Sequence, residues 1–174
     1  MDSATPGMRI MIMRHAQALT RQQANVPYDA DRPLSEAGRA EASRLGRFLH
    51  RHNLLPDPIV CSPFIRTQET AALIAKELGG HHGPMPLTLL APGSGPDELL
   101  RAAMNHGQTD QRWLLAVLHE PDVSHILSQL LFGDRSWPQA VKTGDLFALD
   151  IRRGHGGSRA ELTLFLAAAR LPDA

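Results

Sequence analysis

The stretch RIMIMRHAQA, residues 9–18, decides the reading of the fold. Ile10, Met11, Ile12 and Met13 form an unbroken apolar run, with Met11 on the opposite face of a strand from Ile10 and Ile12. Such a strand is buried on both faces, the mark of a sheet sandwiched between helices. It then ends on Arg14 and His15, a cation beside an imidazole. In open α/β sheets ligands bind outside the carboxyl ends of the strands, so the pair is a candidate site. A solvated strand edge accounts for it equally well when it is taken alone, and the rest of the chain must decide.

Working outward, further apolar runs of strand length lie at 58–61, 86–90, 113–118, 145–151 and 160–166, which with 8–13 makes six. Helical periodicity occupies 35–51, 64–78 and 121–131, the last with Val123, Ile126, Leu127, Leu130 and Leu131 on one stripe. Strands alternating with helices predict an α/β fold: a three-layer α/β/α sandwich around a mixed, mostly parallel sheet of about six strands, with no large cap insertion. RRGHGGSR, 152–159, reads as a hairpin turn between the last two strands. Residues 17–33 and 78–86 lack periodicity and read as loops, the first leaving the strand just after His15. A loop of that length in a compact domain is more often functional than filler.

With 174 residues the chain suits one domain, 1–174. No apolar run approaches the roughly 20 residues needed to cross a bilayer. The first residues show no basic leader followed by an apolar segment, and Cys61 is the only cysteine, so a reducing cytoplasm is the simplest compartment. Lys plus Arg equals Asp plus Glu at 18 each, so no global field favours nucleic acid. Any anionic ligand must be held by locally gathered cations.

Three further segments supply such groups. In CSPFIRTQETAALIAKEL, 61–78, Ser62 suits a helix N-cap, Pro63 the first helical position, and Arg66 falls in the first turn. A cation there opposes the helix dipole, so Arg66 makes better sense as a ligand contact than as a stability device. In LLAVLHEPDVSHILSQLL, 114–131, a second buried run ends on a histidine, His119, with Pro121 opening the next helix. Finally, Lys142, Thr143 and Gly144 precede a strand and are candidate substrate contacts with Ser62, although Lys-Thr-Gly also suits an ordinary turn.

Two histidines and two arginines at one sheet edge make a small positive pocket suited to a phosphoryl group, which the arginine fork matches bidentately. A neutral histidine is also a nucleophile toward phosphorus. Its unperturbed pKa of about 6.5 leaves roughly three quarters neutral at pH 7, and neighbouring Arg cations push that pKa down. The other histidines, His50, His52, His81, His82, His106, His125 and His155, have no partners at metal-ligand spacing, so neither a metal nor a cofactor is expected.

The R-H-A of 14–16 and SPFIRTQETA of 62–71 resemble the signatures of the histidine phosphatase superfamily, the phosphoglycerate-mutase-like fold. R-H-A-x-A at 14–18, DRPLSEAGRAEA at 31–42, HEPDVS at 119–124 and KTGDLFAL at 142–149 resemble its small SixA-type phosphohistidine phosphatases. The resemblance implies that His15 is transiently phosphorylated and that Arg14, Arg66 and His119 bind the phosphoryl group. Ala16, Glu69 and Leu118 depart from the wider pattern. Glu69 lies one turn beyond Arg66 and is a candidate ion-pair partner for it, and Leu118 narrows the pocket floor.

Relatives acting on phosphomonoesters carry a carboxylic general acid in the segment after the third strand. Asp97 and Glu98 are the local candidates, with Glu120 a third, yet GPDELL equally reads as a helix start where acids suit the dipole. An alkoxide leaving group needs a proton from the enzyme, whereas a phosphoramidate nitrogen leaves as neutral imidazole. The expectation is therefore a cytoplasmic, metal-independent phosphatase with an open pocket, acting on a phosphohistidine-bearing protein and not on nucleic acid or membrane. The alternatives are a small-molecule phosphomonoesterase of the same superfamily and a non-catalytic phosphate- or phosphoprotein-binding module.

Overall fold

The structure is a computed structural model and describes residues 7–80, 83–107, 112–133, 140–154 and 157–172. Its strands are β1 (Met8–Arg14), β2 (Ile59–Cys61), β3 (Met85–Pro86), β4 (Trp113–Leu118), β5 (Leu146–Gly154) and β6 (Gly157–Leu166). The helices are α1 (Arg21–Ala24), α2 (Glu36–Arg51), α3 (Ile65–Glu77), α4 (Pro96–His106) and α5 (Asp122–Phe132). One six-stranded sheet runs in the order β3-β2-β4-β1-β5-β6. The β2–β3, β2–β4 and β1–β4 pairs are parallel; β1–β5 and β5–β6 are antiparallel. The mixed, mostly parallel α/β sheet read from the sequence is present.

The two faces of β1 sort the core. Ile10 and Ile12 pack with Leu114, Ala116 and residues of α4 and α5, while Met11 and Met13 pack with Leu115, Val117 and residues of α2 and α3. All four β1 residues are fully buried, each contributing about 1.5–3 kcal/mol of apolar burial. This is the three-layer sandwich. Among the described residues no helix is long and apolar enough to cross a membrane.

The structure corrects the sequence reading in places. PLTLL, 86–90, is not a strand: β3 stops at Pro86, and Thr88–Leu90 form a 3-10 turn. Leu87 N–H still donates to the Cys61 carbonyl at 2.8 Å, after which the chain turns and buries Leu90 completely. Residues 17–33 are not an irregular loop. They hold α1, whose Thr20 forms a capping box with Gln23, a 3-10 turn at Asp29–Asp31, and they are closed off by a bridge between Ala18 and Leu34. Helix α3 begins at Ile65 with Phe64 at its cap, so Ser62 is not the cap nor Pro63 the first helical residue. Pro121 precedes α5 as its cap. The tip of the β5–β6 turn, with His155, lies outside the described residues.

Helix α2 braces the segment that follows β1. The Ser35 hydroxyl caps α2 by accepting from the Gly38 N–H at 3.0 Å, and the Ser35 N–H donates to the Gln17 carbonyl at 2.9 Å. Gly38 lies so close to that backbone that a Cβ there would stand 1.9 Å from the Gln17 oxygen. Gly38→Ala is therefore expected to lower the unfolding free energy by about 1–3 kcal/mol in urea denaturation, despite the roughly 1 kcal/mol by which Ala favours a helix over Gly. Unchanged or higher stability would contradict this packing.

Candidate active site

Because β2, β4 and β1 are adjacent and parallel, their carboxyl ends meet at one edge of the sheet. The ladders continue one residue beyond the strands: His15 N–H donates to the Leu118 carbonyl at 3.0 Å, and Ser62 N–H to the Val117 carbonyl at 3.1 Å. His15, His119 and Ser62 are thereby set side by side, the two imidazoles edge-on with centroids 5.4 Å apart. The first turn of α3 brings the Arg66 Nε to 3.1 Å from the His15 Nε2. His15, Arg66 and His119 are 7%, 6% and 3% exposed.

The hydrogen bonds assign the proton of His15. Its Nδ1 lies 2.7 Å from the Ala16 carbonyl, which only accepts, so Nδ1 carries the hydrogen. Nε2 is left with its lone pair, which accepts from Arg66. Burial pulls the His15 pKa down to about 4, with Arg66 and Arg14 adding to the effect and the Ala16 carbonyl opposing it. The sequence reading attributed this fall to the arginines; desolvation is the larger cause. Burial likewise pulls His119 down to about 3, assisted by Arg66 and His15.

The Nε2 of His119 meets the Ser62 Oγ at 2.7 Å. That fully buried hydroxyl already accepts from the Phe64 N–H at 3.4 Å. Donation of its hydrogen to His119 Nε2 satisfies it and puts the imidazole proton on Nδ1. His119 Nδ1 and Arg14 Nε are buried and have no partner among the described residues. Unsatisfied buried donors are costly, and here both belong to side chains whose charges act on His15 or whose ring touches it.

The turn before β5 holds the Arg14–His15 backbone. Gly144 N–H is shared between the Arg14 and His15 carbonyls at 3.1 and 3.2 Å, and Arg14 donates through a terminal nitrogen to the Val141 carbonyl at 2.7 Å. Gly144 has φ of +75°, and a Cβ there would come within 2.7 Å of Ala168 and 2.8 Å of Glu41. Gly144 thus acts through its backbone, while Lys142 is exposed and its backbone N–H donates to the Asp145 carboxylate at 3.0 Å. Nothing in the structure assigns Lys142 or Thr143 a contact with the histidines.

Among the described residues, no hydrogen bond joins a proposed general acid to His15 or His119. Asp97 and Glu98 lie in the first turn of α4, where Glu98 accepts from the Gly95 N–H at 2.9 Å. Glu120 accepts from the N–H and hydroxyl of Ser124. Glu69 does not pair with Arg66 but with Arg39 at 2.8 Å, and accepts from the Leu34 N–H at 2.7 Å. Of the other histidines, His52 packs its ring on Phe48, and His81, His82 and His155 lie outside the described residues. No cluster of three or more metal-ligand side chains occurs among the described residues.

Sequence reasoning missed two groups. Thr70, buried in α3, accepts from the Ala16 N–H at 3.1 Å and donates to the Arg66 carbonyl at 2.7 Å, tying the His15 segment to the arginine. Asp29 takes the far end of Arg66: its carbonyl accepts at 2.7 Å and its carboxylate at 2.9 Å. The 17–33 segment thus reaches the Arg66 guanidinium through Asp29. The available signal was the acidic run ending on Arg32 within an unusually long connection.

Residues 10–89 match the model of the histidine phosphatase superfamily, branch 1. The chain is 27% identical over 143 residues to an uncharacterized protein of Picosynechococcus sp., covering 82% of this chain and 84% of that one. Its structure is similar to that of a putative phosphohistidine phosphatase SixA from Agrobacterium tumefaciens, with TM-score 0.72 and 24% identity over 92% of this chain and 97% of that one. It is also similar to the protein histidine phosphatase SixA complexed with tungstate, with TM-score 0.74 and 20% identity over 95% and 100% of the two chains. Residues 10–89, which carry Arg14, His15 and Arg66, thus match the histidine phosphatase superfamily, and the fold of nearly the whole chain is similar to that of the SixA structures.

Proposed function

We propose that this protein is a phosphohistidine phosphatase that works through a phosphoryl group carried on His15. The observation that supports this best is the pairing of a neutral, buried His15, its Nε2 lone pair facing Arg66, with unsatisfied donors on Arg14 and His119. That set matches a phosphoryl group in charge and in hydrogen-bonding sense.

In the first step Nε2 of His15 attacks phosphorus in line, and the bond from phosphorus to the substrate nitrogen breaks. Arg14, Arg66 and the Nδ1–H of His119 receive the equatorial oxygens. Phospho-His15 then carries a positive imidazole ring, because Nδ1 keeps its hydrogen, and the Ala16 carbonyl stabilises it. Water attacks phosphorus next and His15 departs as neutral imidazole, so neither bond broken requires a carboxylic acid. The engagement of Glu98 by the Gly95 N–H and of Glu120 by Ser124 favours a phosphoramidate over an ester for the same reason. Asp29 is no substitute acid, since hydrogen bonding from Arg32, with the charge of Arg66, holds its carboxyl below the usual range.

Phosphate release in EDTA from a phosphohistidine protein and from an alkyl phosphate tests the reading. His15-dependent release from phosphohistidine is expected, with His15→Ala lowering kcat/KM by about 10³-fold or more. Preference for the ester points to a phosphomonoesterase, and turnover of neither to a binding module.

The protonation state is checked separately by an NMR pH titration of the His15 ring. With its pKa at about 4 the folded-state ring stays neutral as pH falls through 6.5 and gains its proton only near 4. At pH 5 that leaves roughly nine tenths of it nucleophilic, where an unperturbed imidazole retains only a few per cent. A midpoint near 6.5 would contradict the desolvated site.

A further inference from the structure

We propose that Asp29 is a positioning residue for the phosphoryl site, bracing the outer end of the Arg66 guanidinium so that its Nε edge stays aimed at His15. The inference rests on the phosphatase reading and goes beyond it in giving the 17–33 segment a role in the chemistry.

A guanidinium has five N–H groups in a fixed fork. In Arg66 three are engaged: Nε with His15 Nε2 at 3.1 Å, and the two terminal nitrogens with the carbonyl and carboxylate of Asp29 at 2.7 and 2.9 Å. Asp29 therefore grips the terminal edge. The side edge, with Nε and one remaining N–H, faces the nucleophile, where a transferred phosphoryl group must lie. The two ends are compatible, so phosphate need not displace Asp29.

Asp29 is itself fixed. Its other carboxylate oxygen accepts from Arg32 at 2.8 Å, and Arg32 Nε donates to the Leu19 carbonyl at 2.6 Å, closing the 17–33 segment on itself. The Asp29 side chain is half exposed whereas that of Arg66 is 7% exposed. The brace thus spans from solvent into the site. Burial disfavours the charge on Arg66, and Asp29 opposes that through both its charge and its hydrogen bond. The nearer alternative, Glu69, is held by Arg39 and Leu34, leaving Asp29 as the carboxylate that reaches this guanidinium.

A brace and a competitor for phosphate predict opposite results. Orthovanadate binding, measured as inhibition and by calorimetry on the full chain, should weaken about tenfold in Asp29→Ala, the scale of one charge-assisted hydrogen bond. Asp29→Asn, which keeps an acceptor oxygen, should lose less. In an Arg66→Lys background, Asp29→Ala should add little, because the fork it braces is gone; purely structural damage would add in full. Vanadate binding by Asp29→Ala that equals or exceeds that of the unsubstituted protein overturns the brace, as does full additivity with Arg66→Lys. Absence of vanadate binding by the unsubstituted protein overturns the phosphoryl-site reading itself, and the brace with it.

Discussion

One backbone hydrogen bond, from the His15 N–H to the Leu118 carbonyl, carries the β1–β4 ladder past the end of the strands and sets His15 beside His119. On the other side of β1 the Arg14 N–H donates to the Asp145 carbonyl at 3.2 Å, and the Gly144 N–H reaches back to the Arg14 and His15 carbonyls. The Arg14–His15 strand end is therefore held by a parallel neighbour on one side and an antiparallel one on the other. A side chain placed by a doubly paired strand end is located far more narrowly than one on a free loop. Ser62, just past β2, and Arg66 on the following helix take their places from the same edge.

Burial then determines the chemistry. Two imidazoles, nearly sealed from water beside Arg14 and Arg66, hold their neutral forms because desolvation and neighbouring cations both disfavour the imidazolium. The same burial disfavours the guanidinium of Arg66, which keeps its charge with the help of Asp29. One carboxylate, half exposed, thus supports the charge of a nearly buried guanidinium. Among the described residues, Arg14 Nε and His119 Nδ1 are buried there without hydrogen-bond partners.

Much of this was legible in the sequence for a simple reason: β1, β4 and helices α2, α3 and α5 announce themselves by local periodicity, and Arg14, His15, Arg66 and His119 sit at the boundaries where one period ends and another begins. Element bounds were harder. Ser62 has the chemistry of a helix cap, but its hydroxyl meets His119, and α3 starts at Ile65, two residues later than expected. PLTLL has strand composition, yet it lies at the sheet edge and turns inward to bury Leu90. In both cases a long-range contact outbid a local preference.

By itself the sequence determined the layer architecture and which residues stand at strand ends, because apolar periodicity specifies which faces are buried and strand ends follow from where it stops. Only the tertiary structure decided who partners whom. Glu69 is three residues from Arg66 and Asp29 is 37 away, yet Asp29 makes the pair. Arg39 of α2 and the Leu34 N–H claim Glu69 when α2 packs on α3, and the 3-10 turn delivers Asp29 to the vacant end of the fork. Competition among charged groups is settled by which elements pack together, and spacing along the chain carries no record of that outcome.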